Sequence, residues 1–193
     1  MAAGEEQLGS GVASHVPQSG GDYLVAPVRL AAVHLNKPRD VAILCQLALA
    51  TGHAEISFVG DDTLAADHPK VHQILSSWHV TDPRHLLKER TAVYPGGIGE
   101  LRAASGDARL IGTVVNGGRN AFRFDWRPDD VVVMGGANGL SQKDVAMMDD
   151  TVTIPTAAEV PFYTTPVVAS ALTYHILGKR GLWSIVAPGT YNL

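Results

Sequence analysis

Three glycines behind an apolar run carry the first chemical suggestion in this chain. Val131, Val132, Val133 and Met134 read as a buried strand, Gly135, Gly136 and Gly139 as a turn, and Ser141 as the start of a short helix. A residue without Cβ lets the backbone close tightly on a flat ligand, and a strand–glycine turn–helix unit in a parallel sheet places such a ligand at the strand ends. Other groups invite chemistry less directly. Asp61 and Asp62 are adjacent after an apolar run, but the sequence shows no third metal ligand beside them, so a solvated loop capping the next helix is expected. His68, His72, His79 and His85 lack the compact spacing and carboxylate partner of a metal site, and no metal is expected. Cys45 falls within a helical apolar pattern and reads as a buried structural thiol. Gly96, Gly97 and Gly99 fail the dinucleotide pattern, because no long strand precedes them and Arg102 stands where a third glycine belongs. Arg119, Arg123 and Arg127 interleave with Phe122, Phe124 and Trp126, which suits either a packed loop with snorkelling arginines or a loop that touches substrate.

The elements that must hold these residues alternate. Val28–Leu35 is a short apolar strand, with Asn36 available as a cap and Pro38 suited to a first helical turn. Val41, Leu44, Leu47 and Ala48 then repeat at helical spacing up to Gly52. Glu55–Gly60 is a strand, and Val71, Ile74, Leu75 and Trp78 mark an amphipathic helix over Pro69–His79. A short helix over Pro83–Arg90, an apolar snippet to Tyr94 and a helical Glu100–Ser105 follow. Leu110–Val115, Val131–Met134 and Thr151–Ile154 are further strands, and a last helix runs from about Thr164 to Leu177. Five or six strands alternating with helices predict an α/β fold, a parallel sheet covered by helices on both faces.

Composition sets the bounds. With 193 residues, 46% of them apolar, one domain with a sizeable core is expected over residues 23–193, behind a disordered tail over 1–22. No apolar run is long enough to span a membrane, no secretory signal opens the chain, and a single cysteine fits a reducing, cytoplasmic setting. A formal charge of −4 does not advertise nucleic-acid binding.

The order of strand, glycine turn, Leu140-Ser141, helix, strand ending Ile154-Pro155, loop and Ala-rich helix resembles motifs two and three of the SPOUT superfamily. These are the α/β-knot methyltransferases, and the likeness is to their SpoU (TrmH-type) RNA ribose methyltransferase branch. Motif one has a counterpart in Asn36–Gly52, and the resemblance covers about Leu30–Leu177. It implies a C-terminal trefoil knot, a homodimer and S-adenosyl-L-methionine held by three loops. The residues implied for the cofactor are Thr113, Val114, Gly135, Gly136, Ala137, Gly139, Ile154, Thr156, Tyr163, Thr164 and Val168.

The signature side chains depart from the family. Asp40 falls on the family asparagine of motif one and Gln46 on the arginine; the motif-two glutamate falls on Gly136 or Ala137, and in motif three Thr164 and Pro166 replace asparagine and serine. Gln46 supplies neither the charge nor the donor fork of arginine. The groups left to serve an acceptor are Glu159 first, then Asp40, Arg39, Tyr163 and Gln46 itself, with Glu159 equally readable as a solvated loop acid. Methyl transfer to an RNA nucleotide is the implied activity. Alternatives are a small nucleoside-like or natural-product acceptor, which needs less activation, and a binding protein that kept the fold without catalysis.

Overall fold

The central strands of this chain are short, mostly apolar and nearly free of alternation, which is what burial on both faces of a sheet demands. The computed structural model describes residues 28–53, 55–88, 90–157 and 162–179; the expected N-terminal tail and Glu159 lie outside them. In chain order the elements are β1 (Arg29–Val33), α1 (Pro38–Thr51), β2 (Ile56–Val59), α2 (Pro69–Ser77), α3 (Pro83–Lys88), β3 (Thr91–Tyr94), α4 (Ile98–Ser105), β4 (Leu110–Thr113) and β5 (Arg119–Asn120). A single 3-10 turn over Ala121–Arg123 leads to β6 (Val131–Gly135), α5 (Gln142–Val145), β7 (Asp150–Thr153) and α6 (Thr165–Lys179).

The seven strands form one sheet in the order β3-β2-β1-β6-β4-β7-β5, and every pairing is parallel. The α/β parallel architecture expected from the sequence is therefore the architecture found. The seven strands exceed the expected five or six, the sequence having shown β3 only as an apolar snippet and β5 not at all. β3 and β5 lie at the two edges, where one neighbour supplies all ladder hydrogen bonds, and β5 is two exposed polar residues with no apolar signal.

Alternation along each strand divides the core. Leu30, Ala32, Phe58, Val132 and Met134 face the side covered by α1, α2 and α6, together with Val41, Leu44, Leu75, Leu172 and Ile176. Ala31, Val33, Val131 and Val133 face the other side, against Ile98 and Leu101 of α4. Each buried aliphatic side chain contributes about 1.5–3 kcal/mol relative to exposure, and Val131 to Met134 of β6 are buried between β1 and β4.

Helix ends follow the chain's punctuation with two departures. Pro38 opens α1 and Gly52 closes it in the left-handed conformation at φ 68°, but Lys37, not Asn36, stands at the cap and makes no side-chain cap bond. At α2 the cap is His68, whose Nδ1 accepts from the Lys70 amide at 3.2 Å, so Asp61 and Asp62 do not cap it. Cys45 is fully buried in α1, and burial pushes its thiol up to about 12, which makes it inert.

The arginine–aromatic segment packs. Phe124 and Trp126 are buried edge to face, with the guanidinium groups of Arg109 and Arg119 over the Phe124 ring at 5.4 and 5.0 Å. Arg109 also donates from Nε and Nη2 to the buried Asp130 carboxylate at 2.8 and 2.7 Å, and the Arg127 amide donates there too at 2.7 Å. Asp130 thereby locks the loop that delivers the chain into β6.

Candidate functional site

Strand order dictates where a ligand can sit. The chain runs β1, β2, β3 outward in one direction, then restarts at β4 on the far side of β6, and crevices open at the carboxyl ends where such an order reverses. Two cavities flank the end of β6, and the turn over residues 136–139 lines both.

The turn is built by glycines for steric reasons. A Cβ on Gly135 would approach the Gly139 carbonyl group and the Leu140 amide nitrogen to under 3.0 Å, and one on Gly136 would strike the His34 carbonyl oxygen. Gly139 meets nothing, but its φ of 71° is one that L side chains rarely adopt. The Gly139 amide donates to the Gly136 carbonyl at 3.0 Å, closing the turn, and Ser141 then starts α5 with a reciprocal Ser141–Asp144 capping box.

On one side of this turn lies a cavity of about 210 Å³ between the ends of β4, β6 and β7 and the start of α6. Thr113, Val114, Gly135, Gly136, Ala137, Gly139, Ile154, Thr156, Tyr163 and Val168 all line it. Ten of the eleven positions named from the sequence for cofactor contact are thus gathered around one space. The eleventh, Thr164, does not line it; its carbonyl accepts from the Val167 and Val168 amides at 3.0 Å each and serves the first turn of α6. Thr165 lines the cavity instead, and its hydroxyl donates to the Gly135 carbonyl at 2.6 Å, tying α6 to the glycine turn. Val115, Met134, Asn138 and Phe162 complete the wall, and the sequence pattern singled out none of these as ligand contacts. Among the described residues no charged side chain lines this cavity. Its chemistry is that of apolar walls with backbone and hydroxyl groups for orientation, suited to a flat heteroaromatic group.

The groups expected to serve an acceptor are dispersed. Arg39, Asp40 and Gln46 lie on α1, Arg39 and Gln46 exposed and Asp40 half-buried, and among the described residues they line neither cavity. Helical phase explains this: Val41, Leu44, Cys45 and Ala48 take the face toward the sheet, which turns Gln46 outward. Tyr163, in contrast, is on the cavity wall.

On the other side of the turn is a larger, open crevice of about 770 Å³ along the ends of β1, β2 and β3. It carries His34, Asp61, Asp62, Lys143 and Asp144. His34 escaped the sequence reading altogether, although it directly follows β1.

No protein-family model matches the chain, and no curated protein matches it by sequence. Solved structures do match. One is the SpoU methyltransferase AviRb from Streptomyces viridochromogenes, with TM-score 0.66 and 22% identity over 82% of this chain and 61% of that one. The chain has the SpoU methyltransferase fold. A structure concerning 2-OH methylation on tRNA matches with TM-score 0.66 and 16% identity, over 80% of this chain and 96% of that one. An RNA methyltransferase assignment from Bacillus anthracis matches with TM-score 0.65 and 17% identity, over 86% and 99%. This chain thus spans nearly the whole length of some SpoU-fold proteins and about three fifths of others.

Proposed function

We propose that this chain is an S-adenosyl-L-methionine-dependent methyltransferase of the SpoU kind, working as a homodimer on an RNA nucleotide. The observation that carries the reading is the uncharged cavity at the glycine turn, because its lining fits the cofactor. Val114, Met134, Ile154 and Phe162 offer apolar walls for adenine, and Gly135 and Gly136 leave the backbone bare where a Cβ would fill the turn. AviRb has been crystallised with AdoMet, as has an rRNA methyltransferase of the same fold from Sinorhizobium meliloti (TM-score 0.63, 17% identity).

The cofactor supplies an electrophilic methyl group on a good leaving group. The chain's own task is to position the acceptor and take its proton. Thr165 anchors α6 to Gly135 and keeps the cavity wall in place, and Tyr163 brings a phenol to its rim. Glu159, between β7 and α6 in sequence, is our candidate for acceptor contact. The homodimer is supported by α6, where Val167 and Tyr174, seven residues apart, are 48% and 42% exposed. A trefoil knot is supported by the chain's return from β7, beyond β4, to the end of β6 through the Thr165–Gly135 bond.

A second reading, a small nucleoside-like acceptor, is favoured by the charge of the larger crevice, where among the described residues Asp61, Asp62 and Asp144 face Lys143 alone. The deciding experiment incubates the pure protein with methyl-labelled S-adenosyl-L-methionine and total cellular RNA. Label in RNA is the expected result, and Glu159→Gln should lower it without changing cofactor affinity. Cofactor binding without RNA labelling turns the assignment to the small acceptor, and failure to bind the cofactor overturns the methyltransferase reading.

A further inference from the structure

The carboxylates Asp61 and Asp62 looked incomplete in sequence because the residue that completes them is 27 and 28 positions away. Parallel pairing of β1 with β2 brings it back. Val33 is level with Val59, so His34 and Gly60 leave the sheet side by side and Asp61 and Asp62 follow at once. We propose that His34, Asp61 and Asp62 form a binding site for a divalent first-row transition cation at the mouth of the larger crevice.

The donor atoms are already gathered. One nitrogen of His34 and one oxygen from each carboxylate all lie within 4.8 Å of one another, and His34 Nδ1 is in direct contact with the Asp62 carboxylate. Several features hold the imidazole there. The His34 amide donates to the Val59 carbonyl at 2.8 Å, fixing its backbone to β2. Its φ of 54° is uncommon for a residue with a side chain. Gly60 gives the ring its space, since a Cβ there would sit 2.6 Å from His34 Nδ1 and 2.8 Å from Cε1. Gly136, from the turn shared with the cofactor cavity, fits over the His34 carbonyl.

The donor set decides the class of ion. One imidazole and two carboxylates suit Mn²⁺, Co²⁺ or Zn²⁺, whereas Mg²⁺ and Ca²⁺ prefer oxygen alone. All three side chains are exposed, so a bound cation keeps open positions for water or for an oxygen of an incoming molecule. It would also offset two adjacent like charges, which otherwise repel each other in a crevice where, among the described residues, Lys143 is the one lysine. Binding of the cation does not depend on the methyltransferase reading. If both hold, the cation stands across the glycine turn from the cofactor.

The test is a titration of the full-length chain with Mn²⁺, following free Mn²⁺ by electron paramagnetic resonance, with Zn²⁺ added as competitor. One saturable site per chain, displaced by Zn²⁺, is expected. His34→Asn should weaken it by at least about tenfold, because asparagine tolerates positive φ but lacks the imidazole. Asp62→Asn should do the same and serves if His34→Asn fails to fold by circular dichroism. Absence of saturable binding up to roughly 1 mM, the range of weak cation sites, overturns the proposal. Binding that both variants leave unchanged overturns it equally.

Discussion

His53 offers the sharpest quantitative test of this structure. It is fully buried between the entry to β1 and the third turn of α6. Its Nδ1 lies 2.8 Å from the Val28 carbonyl, which can only accept, so Nδ1 carries the proton; Nε2 lies 3.1 Å from the Thr173 hydroxyl and takes a hydrogen bond from it. Burial lowers the imidazole from 6.5 to about 4, and the bond to Val28, which favours the charged form, offsets this only in part. The sign follows directly. Below pH 6.5 the unfolded chain takes a proton that the native state refuses, so stability present above that pH is lost as pH falls toward 4. Complete loss amounts to about 3.4 kcal/mol at 1.36 kcal/mol per pH unit, and about 2 kcal/mol of it is gone by pH 5. The perturbation is His53→Gln, which retains a donor and an acceptor but does not titrate. Urea unfolding of both proteins at pH 8, 6.5 and 5, followed by tryptophan fluorescence, gives the difference in stability at each pH, valid while the slopes agree. Other histidines and carboxylates titrate alike in both chains and cancel. The stability advantage of the native chain over the His53→Gln variant should shrink by about 2 kcal/mol between pH 8 and pH 5. A difference independent of pH would refute the buried neutral imidazole.

Two further outcomes separate the glycine turn from its frame. Gly135→Ala drives a methyl group into the Gly139 backbone and should abolish binding of labelled S-adenosyl-L-methionine in equilibrium dialysis. Gly139→Ala, which meets open space and bears only a positive-φ cost of about 1–2 kcal/mol, should retain more affinity; the reverse order would contradict the turn geometry. Asp130→Asn leaves Arg109 without its buried partner and should cost about 3 kcal/mol, a fall in melting temperature of roughly 6–12 °C by calorimetry. A change of under about 2 °C would mean that Asp130 does not anchor the entry to β6.

Much of the frame could be read along the chain. Runs such as Val131–Met134 are apolar throughout because both sheet faces are covered, and Pro38 and Gly52 mark the ends of α1 through φ preferences of their own. The glycine turn was visible because crowding leaves no choice of residue at Gly135 and Gly136. These are local effects, set by a residue and its near neighbours. The edge strands were the least legible: β3 showed only as an apolar snippet, and β5, two exposed polar residues, gains strand character only from β7 alongside. His34 is the plainest case. Nothing beside it in sequence suggests a ligand, and its meeting with Asp61 and Asp62 follows from the register between two parallel strands. Register is the outcome of matching two buried hydrophobic faces over their whole length, so it brings together side chains that no local pattern connects.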